Sequence, residues 1–277
     1  MNIEEPVGAG LTRVWHVSDV LADTRTGYQH LVIGKTAQGI SLFCDDERQS
    51  TELSQLVYHE ALLVPALLLA ARVDRVLVVG SSEGVVCRIA VAAGASVVDH
   101  VDIDAQAVRL CAEHLPYGYS PAELADAERG DGPIRVHYAD GWEFIRGCTE
   151  KYDIVLVDLP DEQDGTDAQH NRLYGKEFLS LCRELLTAGG VVAYQGGCPT
   201  LWRNSTLLQC WRRFTDTFSS PVYFASDEHE WAFFFGTEVD SPEETMVKRL
   251  ATLPYRPETI DELTLRGSSV PPISLRR

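Results

Sequence analysis

Basic side chains are scarce in this sequence: 24 lysines and arginines stand against 41 acidic residues, for a net charge of −17. A field of that sign repels phosphates, which excludes nucleic acid and anionic membrane surfaces as partners and favours small or cationic ligands. Long apolar runs are also missing. The longest, 61–71, is too short to cross a bilayer. The seven cysteines form no Cys-x-x-Cys pair. An odd, dispersed set without a signal peptide predicts a reduced, cytoplasmic protein. His16, His30 and His59 lack metal-ligand spacing, so no metal is expected. There is no internal repeat, and 277 residues suffice for one large α/β domain with a small appendage.

What is present centres on residues 75–87, Arg-Val-Leu-Val-Val-Gly-Ser-Ser-Glu-Gly-Val-Val-Cys, and on Val101-Asp-Ile-Asp104. An apolar β-branched run suits a strand buried on both faces of a parallel sheet. It breaks at Gly80 and Gly84, a helical stretch follows, and a second apolar run ends in Asp102, Ile103 and Asp104. Strand, glycine turn, helix and strand with a terminal carboxylate make the first βαβ unit of a nucleoside-binding sheet. The turn is not a dinucleotide fingerprint. It keeps only two glycines, and Glu83 would repel a pyrophosphate. A cationic nucleoside such as a sulfonium fits it better, and S-adenosylmethionine or its decarboxylated form is the expected ligand.

The remaining pattern places this unit in a doubly wound sheet. Residues 1–10 are small and acidic and are expected to be loose; short β-type runs then predict a hairpin or meander. Residues 47–71 are expected as a loop into a helix whose start Ser50 or Thr51 can cap, with Pro65 as a kink or punctuation. Further strands are expected at 134–138, 152–158 and 191–195, and a final pair at 222–225 and 231–236. Helices are expected at 173–186 and 201–218. The predicted domains are 1–52 (β unit), 53–240 (Rossmann-like catalytic domain with an antiparallel edge) and 241–277 (helix-and-loop tail). Ligands in such sheets bind outside the carboxyl ends of the strands. Glu83, Asp102, Asp140, Asp158 and Asp161 all fall there. One such carboxylate is as readily a helix cap; five at one edge point to a site.

These positions resemble the spermidine synthase family, aminopropyltransferases with a methyltransferase-type fold. Tyr28-Gln29, Gln49, Tyr58-His-Glu60, the turn at 80–84, Asp102-Ile-Asp104, Asp140-Gly141, Asp158 with Asp161, and Gln195-Gly196 match the family's motifs. The resemblance implies a small-molecule acceptor and a homodimer. It places Asp102 on the ribose and Asp140 on the adenine amino group, with Ile103, Gly80 and Gly141 in the same nucleoside site. It places Gln29 and Gln49 near the sulfonium and Glu83 near the group attached to sulfur. Asp158, Asp161 and Tyr58 would face the acceptor, beside Gln195 and Trp231.

The departures lie on the acceptor side. Ser54-Gln55 replaces an aspartate-glutamate pair, and the family's diamine-lining proline-tyrosine loop is replaced by residues 225–231. With Trp142, Trp202 and Trp231 available for an aromatic pocket, these departures favour methyl transfer from S-adenosylmethionine to an indole-like natural-product acceptor, releasing S-adenosylhomocysteine. Asp158 is then the expected base, with Tyr28 the next candidate and Asp161 sharing the task. Aminopropyl transfer is the alternative, and a catalytically silent nucleoside-binding protein the second alternative.

Overall fold

The structure, a computed structural model, describes residues 1–8, 10–163, 168–226, 228 and 230–276. Among the described residues six short strands form the N-terminal unit. β1 (Asn2–Gly8) and β2 (Leu11–His16) make a two-stranded ribbon, and β3 (Asp19–Arg25), β4 (His30–Thr36), β5 (Gly39–Cys44) and β6 (Glu47–Thr51) an antiparallel meander. The first residues are therefore a strand, not a loose end. Ile3, Glu5 and Val7 alternate inward, and the carboxylate of Glu5 is buried because Trp15 Nε1 donates to it at 2.6 Å. The expected loop at 47–51 is likewise the last strand of the meander, where Arg48 pairs with Phe43.

The first helix, α1 (Gln55–Leu69), begins after Ser54 rather than at a Ser50 or Thr51 cap. Ser50 instead donates to the Tyr117 hydroxyl at 3.0 Å, and Thr51 donates to Gln38. The helix runs through Pro65 to Leu69. Every residue from His59 to Leu69 is buried, and that packing outweighs the roughly 3 kcal/mol a mid-helix proline costs.

Eight further helices and seven strands follow: β7 (Arg75–Gly80), α2 (Val85–Ala92), β8 (Val97–Asp102), α3 (Ala105–His114), α4 (Pro121–Arg129), β9 (Ile134–Tyr138), α5 (Gly141–Gly147), β10 (Tyr152–Asp158), α6 (Lys176–Glu184), β11 (Leu186–Gly197), α7 (Ser205–Thr217), β12 (Ser220–Ala225), β13 (Ala232–Thr237), α8 (Pro242–Leu250) and α9 (Glu262–Ser268). The helix expected at 173–186 is split. A 3-10 turn at Gln169–Tyr174 precedes α6, and β11 already starts at Leu186. In the seven-stranded sheet the order is β12-β13-β11-β10-β7-β8-β9. β7 to β11 pair in parallel, and β13 and β12 add the antiparallel edge.

Apolar side chains cover both faces of the sheet. The tail is not separate from this core. Met246 and Leu265 are fully buried, and Glu60 on α1 accepts bonds from the Tyr255 hydroxyl (2.6 Å) and the backbone nitrogens of Glu258 and Thr259. No helix among the described residues is long and apolar enough to cross a membrane.

Candidate active site

A cavity of about 430 Å³ opens over the carboxyl ends of β7, β8, β9 and β10, between the sheet and the N-terminal meander. Its floor is the turn after β7. Gly80 has φ +81°, and a Cβ there would lie 2.0 Å from the Asp158 carbonyl oxygen. Gly84 has φ +76°, and its Cβ would meet the Tyr119 ring at 2.1 Å. Only glycine lets the chain pass so close to both neighbours. Between them Ser81 holds φ 60°, a strained value for a serine of the kind that collects at ligand sites.

The nucleoside end rests on three carboxylates, two of which cap helices. Asp102 ends β8, accepts from Ser82 Oγ at 2.7 Å and from the Asp104 backbone nitrogen at 2.8 Å, and is 6% exposed. Burial pushes its carboxyl up to about 6. Asp104 caps α3 through the Ala107 nitrogen at 3.1 Å. Its other oxygen accepts from Thr26 Oγ1 (2.6 Å) and Gln29 Nε2 (3.1 Å), so it latches the meander to the sheet. Asp140 caps α5 through the nitrogens of Trp142 and Glu143 and pairs with Arg172 and Gln169. Ile103, Gly141 and Gln49 line the same cavity.

In the middle lies an acidic centre. Tyr58 donates to Asp158 Oδ1 at 2.6 Å. Burial pushes the Asp158 carboxyl up to about 6, although the nearby His59 draws it down. Glu83 is buried beside it and is also raised, first by burial. Among the described residues no lysine or arginine pairs with Asp102, Glu83 or Asp158, whereas Asp140 and Asp161 each have an arginine. Buried carboxylates left in this state favour a cationic ligand.

The far end is differently built. Asp161 Oδ1 accepts from Gln195 Nε2 and from Trp231 Nε1 (3.0 Å), and its Oδ2 accepts from Arg203 Nη2 at 3.1 Å. Arg48 is stacked 4.6 Å over the Trp231 ring and donates to Glu230 at 2.7 Å. Neither arginine was singled out from the sequence. They are 155 positions apart in the chain, as their numbers show, and only the fold joins them. Of the three tryptophans expected to form an aromatic pocket, only Trp231 lines the cavity. Trp142 stacks on Phe178 at 5.7 Å, and Trp202 is 67% exposed. Tyr28 lines the rim at 55% exposure. No group of three or more potential metal ligands occurs among the described residues.

Residues 55–225 match the family model described as the spermine/spermidine synthase domain. A polyamine aminopropyltransferase of Synechococcus is 30% identical over 94% of this chain and 87% of its own. One from Korarchaeum cryptofilum is 28% identical over 87% of this chain and 73% of its own. Among solved structures, a spermidine synthase in complex with the transition-state analogue AdoDATO superposes with a TM-score of 0.84 at 18% identity, covering 98% of this chain and 92% of that one. The spermidine synthase of Thermotoga maritima gives 0.81 at 17% identity, over 98% and 91% of the two chains.

Proposed function

The chain belongs to the spermine/spermidine synthase family, and we propose that it transfers the aminopropyl group of decarboxylated S-adenosylmethionine to an amine. The expectation of methyl transfer to an indole-like natural-product acceptor is overturned by the relatives, which are named polyamine aminopropyltransferases. Its structural support fails too, because Trp142 and Trp202 lie away from the cavity.

One observation carries the reading: the buried acids Asp158 and Glu83 in the middle of the cavity, paired with no lysine or arginine among the described residues. A donor with an ammonium on its propyl arm satisfies that pair. The carboxylate of intact S-adenosylmethionine would meet two buried acids that pair with no lysine or arginine among the described residues, a like-charge juxtaposition of the costly kind. Asp102 suits the ribose diol, and Asp140 the adenine edge.

Asp158 also suits the proton. An amine must lose one to act as a nucleophile, and a carboxyl near 6 accepts it at neutral pH and returns it to solvent. Tyr58, 2.6 Å away, fixes that carboxylate's rotamer. The test is which donor is consumed and which thioether is released.

A homodimer is part of the same proposal. Leu11, Val14, Val20 and Leu21 of β2 and β3 are 39–49% exposed, apolar surface that a twofold partner would cover. Sedimentation velocity should give twice the chain mass; a concentration-independent monomer would contradict it.

A further inference from the structure

We propose that the acceptor is not a diamine but an amino acid whose terminal amine is the nucleophile and whose carboxylate is held by Arg203 and Arg48. The inference rests on the aminopropyl-transfer reading and names its second substrate.

A diamine needs an anion for its distal ammonium, and among the described residues the far end of the cavity offers only Glu47 without an ion-pair or hydrogen-bond partner of its own, set near Arg203. Asp161 is taken by Gln195, Trp231 and Arg203. Glu5 accepts from Trp15 Nε1, from Arg13 at 3.3 Å and from the Arg48 backbone nitrogen. Glu230, just behind, is bound by both Arg13 and Arg48. Glu47 remains. Burial pushes it towards its neutral form, and the neighbouring Arg203 holds it back. A second ammonium brought here would meet guanidinium groups.

The cations, by contrast, have capacity to spare. Arg48 lines the cavity and donates to Glu230 through one nitrogen, Nη2. Arg203 gives Asp161 a single nitrogen, leaving the rest of its fork for a second planar anion. A monoanion fits best. Asp161, Glu230 and Glu47 crowd the two arginines, so a phosphate with its extra charge would be repelled.

The covalent step is the family's own. The amine lone pair forms a bond to the propyl carbon attached to sulfur. The carbon–sulfur bond breaks with its electron pair on sulfur, leaving methylthioadenosine, and the amine proton passes to Asp158.

The test measures methylthioadenosine release from decarboxylated S-adenosylmethionine with 1,4-diaminobutane, 1,5-diaminopentane, 4-aminobutanoate and 5-aminopentanoate as acceptors. The expected result is a kcat/KM at least about tenfold higher for an amino acid than for the diamine of equal length, the smallest factor that one ion pair of this kind supplies. Arg203→Gln should lower that ratio by about tenfold or more. A wild-type preference for the diamines, or an unchanged ratio in Arg203→Gln, would overturn the inference while leaving aminopropyl transfer intact. No methylthioadenosine with any acceptor would defeat both.

Discussion

Asp158→Asn should lower turnover by about 10²- to 10⁴-fold, the range a positioned base contributes, with methylthioadenosine binding nearly unchanged. The side chain is fixed by the end of β10 and by Tyr58 at 2.6 Å, and the amide keeps an oxygen for that bond. What disappears is a proton acceptor that burial has pushed up to about 6. The wild-type kcat/KM should accordingly rise with pH through about 6, as Asp158 ionises, and then level off. The variant should lose that limb. If turnover survives in Asp158→Asn, the amine is deprotonated by another group; if nucleoside binding collapses instead, Asp158 belongs to the donor site.

Asp102→Asn should move stability and affinity in opposite directions. The buried carboxyl is shifted from its ordinary 3.8 to about 6. A carboxyl whose folded value is raised favours the protonated folded state, so its penalty is absent at low pH and grows as pH rises through about 6. At neutral pH a shift of that size corresponds to about 3 kcal/mol. Removing the charge should therefore raise the melting temperature of the ligand-free protein at pH 7.5, and do so less at pH 5. Methylthioadenosine binding should weaken by about 1.5–3 kcal/mol, the increment of a hydrogen bond to a charged group. A variant that is less stable at pH 7.5 and binds the nucleoside unchanged would remove Asp102 from the site.

The donor half of the cavity was the more legible in the sequence. Apolar runs that end in acids are buried strands with polar carboxyl ends, and register along a rigid sheet carries Asp102, Asp140 and Asp158 to one edge. The acceptor half comes from the N-terminal ribbon and meander, two loops and the start of β13, far apart in the chain, where local pattern says little about which side chains meet. The tryptophans show this. Residue type made all three eligible for an aromatic pocket, but Trp142 caps the face of α6 while Trp202 stays at the surface. β1 was hidden for a different reason. Pro6 and two glutamates mask the alternation of Ile3, Glu5 and Val7, and the inward position at Glu5 depends on Trp15 and Arg13, which are not yet in view at that point of the chain.

The most direct measurement of the central claim is a donor competition. The protein is given equal amounts of decarboxylated and intact S-adenosylmethionine with the mixed amine acceptors, and the nucleoside products are separated by chromatography. The acids at the centre of the cavity predict that the decarboxylated donor alone is consumed, with methylthioadenosine formed in step with an acceptor lengthened by an aminopropyl group. Release of S-adenosylhomocysteine together with a methylated acceptor would contradict the account.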